Sequence, residues 1–313
     1  MPAVRNLISI RDLTEADLRE LVARGCWFAS DAPAGRRPLN GRVVGSFFRA
    51  TSTRTRTAFA SAALRLGAGH IAYGPGDLQL NTGETLEDTA KVSSFMLDAL
   101  VVRTAADPAE LRALCHQDAM PVINAMTSDE HPTQALADLA TLQVQFGRVD
   151  GLRLLYVGEG NNTAAALALA FSRFTDIELV LCTPQGYGLS TEILAVSAEQ
   201  ASETKSSITE VHDIAEAGSG FDVVYTTRWQ TTGTSKPDPE WRNAFAPFQV
   251  NDALMSRQPG AVFMHDLPAH RGQEVTESVL DGPRSIAFRQ AAMKMYSAMA
   301  VLEWSVIGRR HDA

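Results

Sequence analysis

Five residues that can bind a phosphate group stand together at Ser52-Thr53-Arg54-Thr55-Arg56. Ser and Thr hydroxyls donate hydrogen bonds, and the guanidinium fork of Arg matches phosphate oxygens. The run lies between a predicted strand at 41–48 and a predicted helix at 53–66, whose first turn would present N–H groups and partial positive charge. We therefore predict an anion site. The alternative is that Ser52 caps the helix and the arginines form a solvated face.

Three further motifs directly follow predicted strands or begin a predicted helix. They are Arg103, the run His131-Pro132-Thr133-Gln134, and the run His265-Asp266-Leu267-Pro268. Open α/β sheets bind ligands at the carboxyl ends of their strands, so these motifs are placed where chemistry is expected. Each motif alone is only modest evidence for a functional site, because a single His is more often structural and Pro is common at helix starts.

Alternating strand-like and helix-like stretches must position these residues. Strands are predicted at 41–48, 99–102, 121–124, 152–157, 177–182, 223–226 and 261–264. Helices are predicted from 15, at 53–66, 85–97, 133–146, 164–174, 211–217 and 286–307. The alternation favours an α/β fold with two doubly wound parallel-sheet domains, joined by two long interdomain helices. The predicted domains are 1–132, completed by the C-terminal helix 286–313, and 150–285, with 133–149 as an interdomain helix.

Composition excludes several classes of protein. A chain of 313 residues suits two medium domains, and its formal charge of −8 makes it a poor nucleic-acid binder. Its 3 cysteines are far apart in sequence, which argues against a disulfide scaffold or a CxxC metal site and predicts a cytoplasmic protein. No apolar run approaches the ~20 residues of a membrane span, so no membrane partner is expected.

Together, in this order and spacing, the motifs resemble the aspartate/ornithine carbamoyltransferase family over nearly the whole chain. The run Gly83-Glu84-Thr85-Leu86-Glu87-Asp88-Thr89 adds to the resemblance. The resemblance implies that the first domain binds carbamoyl phosphate and the second an amine substrate. It also implies a homotrimer with active sites between subunits, and a reaction that uses no metal or organic cofactor.

The resemblance also implies roles for residues of the first domain. Those expected to bind carbamoyl phosphate are Ser52, Thr53, Arg54, Thr55, Gln79, Arg103, His131, Gln134 and Lys294. The catalytic residues among them would be Arg54, Thr55, Arg103, His131 and Gln134. Thr55, Arg103 and His131 would polarise the carbamoyl carbonyl and stabilise an oxyanion. Gln134 would hold the carbamoyl NH2 group, and Gln79 would come from the neighbouring subunit.

The acceptor residues match neither branch of the family fully. Thr227-Arg228-Trp229-Gln230 is similar to the aspartate branch, in which the Arg and Gln bind carboxylates. The ornithine branch usually carries Asp-x-Trp-x-Ser-Met-Gly here; Trp229 and Gly233 match it, but Thr227 replaces the Asp and Thr231-Thr232 replace the Ser-Met. Asn161-Asn162 and the run 267–272 are similar to the ornithine branch, but Asp266 stands where that branch usually has Cys. The expected amine-substrate residues are Asn162, Thr227, Arg228, Gln230, Thr231, Asp266 and Leu267.

This mixture leads to a hypothesis about the acceptor. A free alkylamine has a pKa of about 10.4, and a carboxylate at 266 could bind its ammonium form or accept its proton. We expect transfer of the carbamoyl group to a short diamino acid such as 2,3-diaminopropionate, giving a ureido amino acid in specialised metabolism. The alternatives are ornithine carbamoylation, a non-catalytic anion-binding relative and, disfavoured by Asn81-Thr82 in place of two lysines, aspartate carbamoylation. Asp266 could also be purely structural.

Overall fold

The computed structural model of the chain describes residues 4–30, 32, 35–104, 106–231 and 234–308. Its contacts divide the chain into two compact units. Unit 1 comprises residues 1–140 with 292–313, and unit 2 comprises residues 141–291. None of the described helices is long and apolar enough to cross a membrane.

The described helices in chain order are α1 (Glu15–Ser30), α2 (Arg54–Arg65), α3 (Leu86–Ser93), α4 (Ala109–Leu114), α5 (Pro132–Phe146), α6 (Asn162–Phe171), α7 (Thr191–Glu203), α8 (Trp241–Phe245), α9 (Asp252–Ser256), α10 (Glu277–Leu280) and α11 (Ala287–Ile307). Short 3-10 helices occupy Ile10–Asp12, Gln79–Thr82 and Ala246–Phe248. The boundary between the units falls inside α5 and α11.

Polar residues set where several helices begin. The Thr14 hydroxyl accepts the Asp17 N–H at 3.1 Å before α1, and the Thr85 hydroxyl accepts the Asp88 N–H at 3.1 Å before α3. These bonds satisfy N–H groups that the first helical turn leaves without a partner. Gly67, at a φ of 89°, follows α2 in a conformation that suits glycine.

The sheet of unit 1 contains β1 (Val43–Phe48), β2 (Gly69–Tyr73), β3 (Ala99–Arg103) and β4 (Val122–Met126). All pairs are parallel and the order is β2-β1-β3-β4. Every residue of β3 and β4 is buried, as expected for apolar strands covered on both faces. After β1 the chain adds β2 on one side of it and then crosses over to add β3 on the other side. Such a change of side opens a crevice at the carboxyl ends of β1 and β3.

The sheet of unit 2 contains β5 (Arg153–Val157), β6 (Glu178–Cys182), β7 (Ser207–Val211), β8 (Val223–Thr226) and β9 (Val262–His265). Its order is β7-β6-β5-β8-β9, again with parallel pairs. From β5 the chain adds β6 and β7 on one side and then β8 and β9 on the other, so the strand order switches sides between β5 and β8. Leu155, Val224 and Phe263 lie in the core beside it. The predicted fold class, α/β with two parallel sheets, is confirmed.

Two helix predictions were wrong, and the strand β2 was not predicted. The helix expected at 211–217 is absent; residues 207–211 instead form β7, because Ile208, Thr209 and Val211 are β-branched and suit a strand. The edge strand β2 was missed because three of its five residues are exposed and it has no continuous apolar run. The helix expected at 85–97 ends at Ser93.

Candidate active site

In unit 1 the predicted donor residues lie where three neighbouring strands end. The run 52–56 follows β1 and starts α2, Arg103 is the last residue of β3, and His131 stands between β4 and α5. Because these strands are adjacent and parallel, their carboxyl ends meet at one edge of the sheet. The sequence thus brings the three motifs to one side of unit 1.

The start of α2 is organised around Thr53. Thr53 rather than Ser52 occupies the N-cap position, and its side chain makes no capping hydrogen bond. Thr55, in the first turn, is buried, whereas Ser52 is half-buried. The Thr53 hydroxyl is therefore not used to cap the helix, and the predicted anion site has a helix start at its centre.

A small pocket in unit 1 gathers several of the predicted residues. It is lined by Thr55, Ala58, Phe59, His131, Thr133, Gln134 and Lys294. Arg103 adjoins it, since its Nη1 lies 3.5 Å from Thr55 Oγ1. Gln79 is exposed in the 3-10 helix Gln79–Thr82 and does not line this pocket.

The amide of Gln134 is held in one orientation. Its Nε2 donates to Asp138 Oδ1 at 2.7 Å, one turn further along α5, and both side chains are buried. A carboxylate can only accept, so Asp138 selects the NH2 end of the amide. Gln134 Oε1 is buried with no hydrogen-bond partner among the described residues. The pocket therefore offers an acceptor suited to an N–H group of a bound molecule.

His131 is neutral at neutral pH. Burial lowers the pKa of the imidazole well below its usual 6.5, and the positive charges of Lys294 and Arg103 lower it further. Its Nδ1 lies 3.3 Å from Thr133 Oγ1. If the hydroxyl donates to Nδ1, the ring proton is on Nε2, and His131 can donate a hydrogen bond without adding charge to the pocket.

In unit 2 the predicted acceptor residues also follow adjacent strands. Asn162 begins α6 after β5, Thr227 follows β8 and Asp266 follows β9. Asn161 caps α6 by accepting the Thr163 and Ala164 N–H groups at 3.0 and 3.2 Å. The acceptor motifs therefore meet at the carboxyl ends of β5, β8 and β9.

The Asp266 carboxylate is bound by two threonine hydroxyls. Thr163 Oγ1 donates to its Oδ2 at 3.0 Å, and Thr227 Oγ1 lies 3.0 and 3.1 Å from its two oxygens. The side chain retains 16% exposure. Hydroxyl donors stabilise the ionised form of a carboxylate, so the site suits an ammonium group. Thr163 was not predicted as a site residue, although it directly follows Asn161-Asn162 after a strand.

His265 lies behind Asp266 and is fully buried. Its Nε2 is 3.3 Å from Glu274 Oε1, and its Nδ1 accepts the Leu267 N–H at 2.8 Å. Burial lowers the pKa of this imidazole, but the hydrogen bonds and charges of Asp266 and Glu274 outweigh it and raise the pKa above 6.5. Leu267 has a φ of 55°, an unusual conformation for a side chain of its size.

The remaining acceptor residues lie in the segment that follows β8. Arg228 Nε donates to the Gln230 carbonyl and Gln230 Nε2 to the Thr234 carbonyl, each at 2.7 Å. Thr231 Oγ1 donates to Glu159 Oε2 at 3.1 Å and accepts from Asn161 Nδ2 at 3.0 Å. Thr232 and Gly233, also part of the motif, lie outside the described residues. The polar residues of unit 2 therefore form two hydrogen-bonded clusters. In one, Thr163 and Thr227 bind Asp266; in the other, Thr231 binds Glu159 and Asn161.

Comparison with known proteins assigns each half of the chain to a family domain. The model described as the carbamoyl-P binding domain of aspartate/ornithine carbamoyltransferase matches residues 5–144, and that of the Asp/Orn binding domain matches residues 150–305. An ornithine carbamoyltransferase of Anoxybacillus flavithermus is 36% identical over 95% of both chains. The anabolic ornithine carbamoyltransferase of Pyrococcus furiosus is 36% identical over 96% of both.

Solved structures agree with these matches. The ornithine carbamoyltransferase structure from Pyrococcus furiosus superposes with a TM-score of 0.90 at 35% identity, covering 98% of this chain and 99% of that chain. The structure from Gloeobacter violaceus gives a TM-score of 0.86 at 34% identity, covering 97% and 99%.

Proposed function

Because the chain belongs to the aspartate/ornithine carbamoyltransferase family and is a carbamoyl-transferring enzyme, we propose a specific reaction for it. The carbamoyl group of carbamoyl phosphate passes to an amine of a short diamino acid, with 2,3-diaminopropionate as the leading candidate, and phosphate is released. Residues 1–132 with 286–313 hold the donor, and residues 150–285 hold the acceptor. The observation that carries the proposal is the Asp266 carboxylate, held by the Thr163 and Thr227 hydroxyls.

On the donor side, Ser52, Thr53, Arg54 and Thr55 bind the phosphate at the start of α2. Neutral His131, with Arg103 and Thr55, donates to the carbamoyl oxygen as negative charge develops there, and Lys294 adds positive charge to the same pocket. Each such donor typically contributes about 3 kcal/mol to the transition state. Gln134 Oε1 accepts from the carbamoyl NH2 group, which fixes the carbonyl carbon for attack.

On the acceptor side, Asp266 binds or deprotonates the attacking amine. Making an alkylamine neutral near pH 7 costs about 4–5 kcal/mol, because its pKa is about 10.4. In a short diamino acid the neighbouring α-ammonium lowers the pKa of the second amine, so this cost falls. Arg228 and Gln230 bind the carboxylate, and Asn162, Thr231 and Leu267 complete the pocket.

Ornithine is the second candidate acceptor. The curated relatives described above bear the name ornithine carbamoyltransferase at 36% identity over nearly the full chain. The replacement of the usual Cys by Asp266, and of the usual Asp by Thr227, favours the shorter acceptor. The carboxylate of the acceptor site in this chain is therefore that of Asp266, after β9, whereas the position after β8 that usually carries Asp is Thr227.

We also propose a homotrimer, with Gln79 completing the site of a neighbouring subunit. Exposed apolar side chains at and after the end of α3 support self-association: Val92, Phe95 and Met96 are 49%, 78% and 67% exposed in the single chain. Light scattering after gel filtration should give three times the chain mass. Cys26, Cys115 and Cys182 are free thiols, which supports a reducing compartment such as the cytoplasm.

A panel of amines tests the acceptor. The enzyme is incubated with carbamoyl phosphate and 2,3-diaminopropionate, 2,4-diaminobutyrate, ornithine or aspartate, and phosphate release and product mass are measured. We expect the highest kcat/KM with 2,3-diaminopropionate. A higher kcat/KM with ornithine would establish the second candidate instead. Binding of carbamoyl phosphate without turnover of any amine would favour a non-catalytic anion-binding protein.

A further inference from the structure

An ion pair in unit 2 stands beside the acceptor residues without being one of them. Glu159 Oε1 pairs with Lys236 Nζ, and their side chains are 16% and 5% exposed. Glu159 belongs to the turn between β5 and α6, whereas Lys236 belongs to the segment after β8. We call residues 227–231 and 234–241 the acceptor segment. The pair therefore joins the acceptor segment to the turn that starts α6.

Aromatic rings surround the Lys236 ammonium. Its Nζ lies 5.1 Å from the ring centre of Tyr187, 5.3 Å from that of Trp241 and 5.2 Å from that of Phe245. Cations are attracted to ring faces at such distances, most strongly when water is excluded. Trp229, inside the acceptor segment, packs in the same apolar cluster. Lys236 is thus held by charge and by rings together.

The turn that carries Glu159 is itself fixed. The Tyr156 hydroxyl donates to the Glu159 carbonyl at 2.6 Å, and the Gly160 N–H donates to the Tyr187 carbonyl at 2.8 Å. A Cβ on Gly160 would lie 2.3 Å from the Gly188 backbone, so the turn fits closely against its neighbour. Glu159 is therefore a rigid anchor for any group that binds its carboxylate.

We propose that Lys236 is a positioning residue whose pairing with Glu159 sets the affinity for the acceptor; this rests on the proposed function. The same Glu159 carboxylate receives Lys236 on one oxygen and Thr231 on the other. Lys236 neutralises it and fixes the acceptor segment, including Arg228 and Thr231, against the turn. Removing the ammonium leaves a half-buried carboxylate without its counter-charge, which costs more than the loss of a fully exposed pair would.

The test compares Lys236→Met with Lys236→Arg. Met keeps most of the length and an unbranched apolar stem beside the rings but removes the charge, whereas Arg keeps the charge and also stacks on aromatic faces. With the best amine of the panel, Lys236→Met should raise the acceptor KM about tenfold while kcat and the carbamoyl phosphate KM change less than about twofold. Lys236→Arg should stay within about threefold of wild type. The matched control is Arg153→Met, which breaks the exposed pair with Glu178 at the start of β5 and should change no constant.

Hydrogen exchange provides a readout that needs no substrate. In Lys236→Met, amides of the acceptor segment should exchange faster, while those of β5 stay protected. Should that variant fail to fold, Glu159→Gln with Lys236→Met removes both charges of the pair and should fold with the same raised acceptor KM. An unchanged acceptor KM in Lys236→Met overturns the proposal whatever the exchange shows, and a raised acceptor KM with unchanged exchange overturns the positioning role. Preference of the wild type for ornithine would contradict only the short-acceptor hypothesis, because this test uses whichever amine reacts best.

Discussion

The two halves of the molecule orient their chemical groups in different ways. In unit 1 the pocket residues are held by neighbours outside the proposed reaction: Asp138 fixes the Gln134 amide and Thr133 contacts the His131 ring. In unit 2 the proposed acceptor residues bind one another, as Thr227 does Asp266. The proposed donor residues are therefore oriented by neighbours outside their own set, whereas Asp266 is oriented partly by a hydroxyl–carboxylate bond within the acceptor set, which a single substitution can alter.

Arg103→Gln should have the largest effect, because it removes positive charge from the donor half where the oxyanion forms. We expect kcat to fall by about a thousandfold with every acceptor. The control is Arg65→Gln, at the exposed last turn of α2, which should leave kcat unchanged. A loss with one acceptor and not with another would contradict a role confined to the donor half.

Asp266→Asn should have the next largest effect and should be confined to the acceptor half. Asn keeps the shape but has no negative charge to attract an ammonium ion and cannot accept its proton, so kcat/KM for the amine should fall by about a hundredfold. The carbamoyl phosphate KM should stay unchanged. Asp281→Asn, which alters an exposed carboxylate of the same unit, serves as the control. Wild-type kcat/KM in Asp266→Asn would leave Asp266 a structural role alone.

Gln134→Leu should have a smaller effect, on donor affinity. A neutral hydrogen bond contributes about 1 kcal/mol, so the carbamoyl phosphate KM should rise by roughly five- to tenfold while the acceptor KM is kept. Gln143→Leu, on the same helix α5 but bonded to the Gly147 carbonyl, is the matched control. If both KM values rose equally, the proposed division between the halves would not hold for Gln134.

The sequence predicted the strand-end motifs well, because apolar strands and polar residues directly after them are local signals. Arg103 at the end of β3 and Asp266 after β9 are examples. It did not predict the partners that orient them. Thr163 reaches Asp266 across 103 positions of sequence and Lys236 reaches Glu159 across 77, so both contacts depend on tertiary packing. Asp138 lies four positions after Gln134 on the same helix, and this spacing is a local signal that could have predicted the contact. The strand β7 was missed for a related reason, since it pairs with β6, from which the helix α7 separates it in sequence.

His131 and His265, the buried histidines among the described residues, should show the smallest difference between the halves. This difference concerns the protonation of the two rings and not enzyme activity. The pKa of His131 is lowered by burial and by nearby cations, so its ring should stay neutral as the pH falls through 6.5. The pKa of His265 is raised by two carboxylates despite burial, so its ring should take up a proton above pH 6.5. Ring resonances, assigned with His131→Gln and His265→Gln, can be followed by NMR from pH 8 to pH 5.5.

Protonation of His265 has a structural consequence that makes this measurement sharper. Its Nδ1 accepts the Leu267 N–H at 2.8 Å, and an Nδ1 that carries a proton cannot accept. The new Nδ1–H would turn to Asp266 Oδ1, which is 3.4 Å away. The Leu267 amide resonance should therefore shift with the His265 titration, while the Gln134 amide in the donor half stays constant. The proposed electrostatic difference between the two halves would be contradicted if the His131 ring titrated at 6.5. It would also be contradicted if the Leu267 amide resonance did not shift as His265 titrates.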